Sequence, residues 1–441
     1  MKKVFFALLV LLICTAAGCQ RQGDPSAAQE VPPTNYQLRS DELQKYTIVY
    51  EEENPDYFDL AYRLCDRIYA QYGILVTPVG DASTTPSQYE ILLGDTNRYT
   101  QQGNVMEYSV IVDAGKCWIQ AGGSFSAEKA IDFLCEQIFN GQEFALDCGT
   151  YYQTSFLTKF QPLTDGSSAR IMSANVLADA FADASFQKAH YRAEIFAGML
   201  ISYTPDVIGL QEVDESWNQV LDTYLAKIQN THAITYSRLL TTYEGKVNYT
   251  SLIYRSDKFN VEASDVTVFS WWENEAFNHN YHMRNISWAQ LSSLDDPQKS
   301  FIVANTHWSY RTEHADGNKF LAGSDTPIAV NELRELCCSE TDEFLSVLRQ
   351  SHQEIPIFLT GDFNTSLPFF TESGWTPTSF RIISEEALRS GTAVSIVPSS
   401  GHYDHLFGCG DYAVDYFAFI KDVNEHSLLT DHPFVYADLT F

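Results

Sequence analysis

Short apolar runs that end on polar residues recur through the second part of this chain, and they constrain its fold more than any other feature. Ile357-Phe358-Leu359 leads into Gly361-Asp362-Phe363-Asn364. The run from Arg170 ends at Asn175, Val207-Ile208-Gly209-Leu210 at Gln211-Glu212, and Phe301-Ile302-Val303-Ala304 at Asn305-Thr306-His307. Runs this short and this apolar read as buried strands. Residues two apart on a strand share a face, so Asp362 and Asn364 would leave their strand side by side. Amphipathic stretches separate the runs: Tyr191, Ile195 and Met199, and later Leu336, Phe344, Leu345 and Leu348, recur at helical spacing. Strands alternating with helices, joined by long polar loops, predict two sheets packed face to face with helices outside. Asp415, within Ala413-Val414-Asp415-Tyr416-Phe417, and Asp431-His432, ahead of the last apolar run, join the set of polar residues. Such a set, drawn from many elements, suits an open α/β site.

A different unit occupies residues 41–150. Thr47–Tyr50, Ile74–Val76 and Glu90–Gly94 are strand candidates, and Tyr108–Val112 with Cys117–Gln120 predicts a hairpin around Ala114-Gly115. Leu60, Leu64 and Ile68 mark one helix closed by Gly73; Ala127, Ala130, Ile131, Leu134 and Ile138 mark another. This reads as a small α/β domain with no cluster of catalytic residue types. Residues 20–40 are polar, with Pro25, Pro32 and Pro33, and read as a flexible tether. Ahead of it, Lys2 and Lys3 precede an apolar run from Val4 to Ile13 that is too short to span a bilayer. Thr15-Ala16-Ala17-Gly18-Cys19 then resembles a bacterial lipobox, with Ala16 where Leu is usual. That resemblance implies a signal peptide over 1–19 ending at a lipidated Cys19. It also implies an exported lipoprotein anchored at the outer face of the cell membrane.

Asp and Glu number 57 against 28 Lys and Arg, a net charge of −29. Such a surface repels polyanions unless cations or a local basic patch intervene, and no Lys/Arg stripe is evident. No two cysteines are spaced Cys-x-x-Cys, which argues against a zinc knuckle. Asn248-Tyr249-Thr250 and Asn285-Ile286-Ser287 match glycosylation acceptors but adjoin core-like strands and are discounted. Phe269, Trp271, Trp272, Phe277 and Tyr281 crowd a short insertion, read as packing on its own domain in preference to a stacking wall.

From Arg170 to the C-terminus the chain resembles the endonuclease/exonuclease/phosphatase superfamily, with its deoxyribonuclease I-like fold. The matching motifs, in matching order, are Ser173-Ala174-Asn175, Gln211-Glu212-Val213, Asn305-Thr306-His307, Gly361-Asp362-Phe363-Asn364, Val414-Asp415-Tyr416 and Thr430-Asp431-His432. The resemblance implies a four-layer α/β sandwich over 151–441. It implies Mg²⁺ or Mn²⁺ held by Glu212, with Asn175 beside it and Asp431 near a metal. Asp362 would orient or deprotonate the attacking water, and Asn364 would hold that water or a phosphate oxygen. His432 would contact the phosphate, Asp415 would orient His432, and His307 would serve as general acid. Arg284, in His282-Met283-Arg284-Asn285, falls where one branch has a phosphate-binding arginine. The first domain, with Ile91-Leu92-Leu93-Gly94-Asp95-Thr96-Asn97-Arg98 at its centre, resembles the small α/β domain that precedes the catalytic domain of several bacterial glycosidases.

The chemistry accounts for these residue types. A phosphodiester repels nucleophiles, so its hydrolysis needs a hard cation, an activated water and neutralisation of the leaving oxygen. Oxygen ligands select Mg²⁺ or Mn²⁺ over zinc. The leading expectation is therefore an exported metal-dependent phosphoesterase acting on a phosphodiester substrate. A secreted nuclease is the nearest variant. A surface protein that lost the chemistry and binds glycan through the first domain is the alternative of another class. No protein partner is inferred.

Overall fold

The computed structural model describes residues 37–98, 103–113, 115–140, 143–183, 187–270, 283–309, 330–366, 369–370, 379–394, 402–420 and 426–441. Cys19, most of the tether, and Trp271, Trp272, Phe277 and Tyr281 of the aromatic insertion lie outside the described residues. Phe269, at the edge of that insertion, is buried.

The first domain comprises β1 (Gln37–Arg39), β2 (Thr47–Tyr50), α1 (Pro55–Tyr72), β3 (Thr77–Gly80), β4 (Glu90–Leu93), β5 (Glu107–Asp113), β6 (Lys116–Ala121), α2 (Ser124–Phe133), β7 (Ala145–Asp147) and β8 (Tyr151–Ser155). Helix α1 starts where the Asn54 side chain accepts the Asp56 N–H and stops at Gly73, whose φ of 69° few other residues adopt. Its buried row includes Leu60, Leu64 and Ile68, as the spacing predicts. The β5–β6 hairpin forms at the expected place. The main sheet runs β3-β2-β4-β6-β5-β8. Two boundaries differ from the sequence reading. Tyr151–Ser155 pairs with β5 and so completes this sheet beyond residue 150, and Gln37–Arg39 pairs with β7 within the supposed tether. Strand β3 begins at Thr77, because Leu75 of the apolar triplet Ile74–Val76 is 81% exposed in a connection.

The second domain opens with β9 (Ala169–Asn175), α3 (Ala189–Tyr203), β10 (Val207–Gln211), α4 (Glu215–His232), β11 (Tyr236–Leu239), β12 (Thr242–Tyr243), β13 (Lys246–Val247) and β14 (Leu252–Arg255). It continues with β15 (Phe259–Val268), β16 (Asn285–Ser293), β17 (Ser300–His307), α5 (Val330–Ser351), β18 (Ile357–Asp362), β19 (Arg381–Ile382) and α6 (Ile383–Ser390). Strands β20 (Asp404–Cys409), β21 (Ala413–Ile420) and β22 (Phe434–Thr440), with a short helix at His426–Leu429, close it. One sheet runs β11-β14-β10-β9-β22-β21, the other β15-β16-β17-β18-β20-β19. Helices α3 and α4 cover the outer face of the first, and α5 covers the second. The expected fold class is therefore what is found: a four-layer α/β sandwich preceded by a small α/β domain.

The period-two alternation of the strands decides what faces what. On β9, Met172 and Ala174 face the helices while Ala169 and Ile171 enter the core between the sheets. On β18, Ile357 and Leu359 face α5 while Phe358 points between the sheets. Followed to their ends, these inner rows change from apolar to polar: Ser173 and Asn175 on β9, Gly209 and Gln211 on β10, Asn305 and His307 on β17, Thr360 and Asp362 on β18. The parallel pairs β9–β10 and β17–β18 align these ends, with Gln211 opposite Asn175 and His307 opposite Asp362.

Where the rows turn polar, the sheets are joined by hydrogen bonds. Asn305 Nδ2 donates to the carbonyls of Leu210 (2.7 Å) and Thr250 (3.0 Å), and its Oδ1 accepts from Gln211 Nε2 (2.7 Å) and Thr360 Oγ1 (3.0 Å). The buried Asn305 amide, bonded through both its nitrogen and its oxygen, fixes the register between the sheets. Nearby, Asn248 and Asn285 are fully buried and bonded to each other (3.2 Å), so the folded chain presents neither as a glycosylation acceptor. Gly209 is required by the approach: a Cβ there would lie 2.0 Å from Thr360 Oγ1 and 2.6 Å from Asn305 Oδ1. Replacing Gly209 with Ala is expected to cost about 1–3 kcal/mol in urea unfolding through overpacking. An unchanged midpoint would show that this contact does not set the sheet spacing.

Candidate active site

Asn175, Glu212, His307 and Asp362 come from four neighbouring strand ends and meet in one buried cluster. Asn175 Nδ2 donates to Glu212 Oε1 and to Asp362 Oδ2, both at 3.0 Å, while its Oδ1 accepts from Leu177 N (3.0 Å). One amide nitrogen thus bridges carboxylates from opposite sheets. The other oxygen of Glu212 accepts from Ala178 N (3.0 Å). Glu212 has a φ of 62°, a left-handed backbone that costs a non-glycine residue about 1–3 kcal/mol. The turn after β10 bears that cost and brings the carboxylate back over the end of β9. Asn364, at φ 50°, makes the corresponding turn after β18 with a residue type that tolerates it. Its N–H donates to Asp362 Oδ1 (2.8 Å) and its side-chain amide to the Trp308 carbonyl (2.8 Å).

Two histidines flank Asp362. His307 Nε2 lies 3.3 Å and His432 Nε2 3.9 Å from Asp362 Oδ2. Burial alone would raise the Asp362 carboxyl. His307, His432 and the Asn364 N–H outweigh it and hold Asp362 well below the usual carboxylate range. His307 moves the other way: burial and the neighbouring Arg284 lower its pKa, favouring the neutral imidazole. His432 lies between two carboxylates. Burial opposes its charge, but Asp404 and Asp362 raise its pKa well above the usual imidazole value.

Asp404 is the residue that the sequence reading missed. Its Oδ2 is 2.7 Å from His432 Nδ1, and burial pushes its carboxyl up against the pull of His432. The expected partner, Asp415, does not reach His432. Its carboxylate accepts from Ser167 Oγ (2.5 Å) and Thr440 Oγ1 (2.6 Å). The reason is topological. Strands β21 and β22 are antiparallel, with Ile420 opposite Phe434 and Ala413 opposite Thr440. His432 precedes the Phe434 end, so Asp415 sits near the opposite edge of the sheet, roughly 20 Å away along the strand. Asp404 opens β20 directly across from Asp362. The sequence signal was present in Tyr403-Asp404-His405, ahead of an apolar run. An antiparallel strand brings its entrance, not its exit, to this edge.

Arg284 lies beside the cluster. Its Nη1 donates to the His307 carbonyl (3.4 Å), and burial lowers its pKa while Glu212 and Asp362 raise it. Asp431 is exposed, and its charge acts on the adjoining His432. Among the described residues, the group whose ligand atoms all lie within 4.8 Å of one another is Glu212, His307 and Asp362. The donor set fits a divalent cation. Two carboxylates converge where the Asn175 amide now bridges them, and His307 Nδ1 is buried without a hydrogen-bond partner. Hard oxygens suit Mg²⁺, and the imidazole nitrogen broadens the choice towards Mn²⁺.

The likeness is to endonuclease/exonuclease/phosphatase proteins. A family protein of that description from Bacteroides vulgatus matches with a TM-score of 0.45 and 20% identity, over 62% of this chain and 98% of the other. A Bacteroides thetaiotaomicron mannosyl-6-phosphatase matches at 0.43 and 18%, over 62% of this chain and all (100%) of the other. The human nocturnin catalytic domain matches at 0.43 and 16%, over 62% and 94%. A probable RNA exonuclease from Schizosaccharomyces pombe is 25% identical over 181 residues, 41% of this chain and 31% of its own length. The chain therefore spans about a third of that relative. No family model matches the chain.

The Asp404–His432 pair yields a pH prediction. Asp404 raises the His432 pKa, so removing its charge lowers that pKa and moves the alkaline limb of the pH–rate profile down. Asp404→Asn should shift that limb by about one to two pH units on a chromogenic phosphodiester. An unmoved limb would mean that His432 is not the group titrating there.

Proposed function

We propose that this protein is a divalent-metal-dependent phosphoesterase that hydrolyses phosphodiesters. The observation carrying the proposal is the convergence of buried Glu212, Asp362 and His307 beside a His432 charged by Asp404 and Asp362. The description of the curated relative, a probable RNA exonuclease, agrees in chemistry, since that activity cleaves phosphate esters. Glu212 and Asp362, with His307, would hold Mg²⁺ or Mn²⁺, which when bound supplies charge neutralisation on the phosphate and a more acidic water.

The remaining roles follow from protonation state. Asp362 stays ionised across the neutral range, so it is a hydrogen-bond acceptor able to orient a water. His432, held charged, donates to a phosphate oxygen and stabilises the negative charge that develops there. His307 was expected as general acid, but its lowered pKa keeps it neutral near pH 7. The proton for the leaving oxygen is therefore assigned to His432. Arg284 adds fixed positive charge at the rim. The leader reading adds export and a lipid anchor on Cys19, supported by Lys2, Lys3 and the small residues before the cysteine.

The test is a panel of plasmid DNA, RNA, sphingomyelin, a chromogenic phosphodiester and phosphomonoesters, each with Mg²⁺ and with chelator. Chelator-sensitive turnover of at least one diester is expected. Turnover that ignores chelator, or none with any metal, contradicts the proposal. Asp362→Asn and His432→Ala should each lower kcat by about 10²–10⁴ while keeping the wild-type melting transition. Run on intact cells with a membrane-impermeant diester, turnover outside the cell supports export, and turnover only after lysis removes it.

A further inference from the structure

Helix α3 has two jobs that the sequence pattern does not separate. Its Glu194 is fully buried and reaches into the first domain. One oxygen accepts from Met106 N (2.8 Å) and Ser126 Oγ (2.6 Å), and the other from Ser126 N (3.0 Å) in the first turn of α2. A carboxylate is favoured there by the helix dipole and by N–H groups that have no partner within the helix. On either side of it, Tyr191 Oη donates to Glu128 (2.6 Å) and His190 Nε2 meets Asp56 (2.8 Å). Lys227 of α4 donates to the Gly122 carbonyl (2.6 Å). The contact has no slack: a Cβ on Gly198 would lie 2.6 Å from Met106 Cγ, and one on Gly123 2.1 Å from Tyr224 Oη.

Two residues before Glu194, Arg192 reaches the active-site side and is also fully buried. Its guanidinium donates to the carbonyls of Val176 (2.8 Å), Leu177 (2.7 Å) and Leu429 (2.8 Å) and to Asp179 Oδ1 (2.8 Å), and its Nε to the Gln187 carbonyl (2.8 Å). It lies over the Trp217 ring at 5.1 Å, and Trp217 Nε1 donates to the same Leu177 carbonyl (3.0 Å). The peptide segment gripped by its carbonyls is the one whose N–H groups serve the site: Leu177 N holds Asn175, and Ala178 N holds Glu212. The Leu429 end leads into Thr430, whose hydroxyl donates to the Asn175 carbonyl (2.9 Å) and accepts from His432 N (3.2 Å).

We propose that Arg192 is a positioning residue that sets Asn175, Glu212 and His432 together, and that the first domain, gripping α3 through Glu194, is a fixed part of the catalytic unit. The activity arm of this inference rests on the phosphoesterase reading; the structural arm does not. A guanidinium is required because its fork spans two loops at once, which a lysine ammonium cannot do.

The experiment compares full-length protein with Arg192→Lys, Asp179→Asn and Glu194→Ala by native-state hydrogen exchange over residues 176–178, without metal or substrate. Arg192→Lys is expected to speed exchange of the Leu177 and Ala178 amides about ten- to a hundredfold, with Asp179→Asn and Glu194→Ala moving the same amides less. On the chromogenic diester, kcat should fall in the same order with KM little changed. If Arg192→Lys does not fold, Asp179→Asn and Glu194→Ala decide the matter alone. Wild-type exchange at these amides in the folded variants overturns the inference. Absence of turnover in every protein, wild type included, would remove the phosphoesterase reading and leave the exchange result to stand.

Discussion

The structure depends on bringing Glu212 and Asp362 within reach of a single amide. They come from different sheets, so their separation is set by how closely the sheets pack at their polar ends. Two anions so placed repel one another, and the repulsion grows in a buried site of low dielectric. The fold offsets it with the Asn175 amide between them, the N–H groups of Ala178 and Asn364 on their outer oxygens, and the charged His432 alongside. A divalent cation would do the same more strongly. On this account the site is organised for positive charge whether or not an ion occupies it.

Much of this was legible in the sequence because strand alternation is simple. Apolar runs at Arg170, Val207, Phe301 and Ile357 marked buried strands, and the polar residues at their exits marked one edge of the sandwich. That rule holds for parallel strands, which bring their C-terminal ends to the same side. It fails for β20, which runs antiparallel and brings Asp404 in at its start. It also over-reads β21: Asp415 lies at the irregularity between Val414 and Tyr416, at the far end from His432. Nothing local distinguishes these aspartates. Only the pairing partner and its direction do.

Other features were illegible for a different reason. Arg192 and Glu194 sit two residues apart on a helix whose residues from Arg192 to Tyr203 are all buried, whereas charged side chains on a helix ordinarily face solvent. Both are buried, and each satisfies several backbone groups far away in sequence. A buried ion that completes orphan hydrogen bonds leaves no periodic signature. The same is true of Asn305, whose amide joins the sheets, and of Gly209, whose missing side chain allows that approach. The first domain was legible as an α/β unit, but its docking through α3 was not.

The proposed function requires Glu212, Asp362 and His307 to form one divalent-cation site. Its most direct test is calorimetric titration of Mn²⁺ into the wild-type protein and into Glu212→Gln, with no substrate present. One saturable site is expected in the wild type, weakened at least about tenfold in Glu212→Gln. Equal binding by both proteins, or no binding by the wild type, would contradict it.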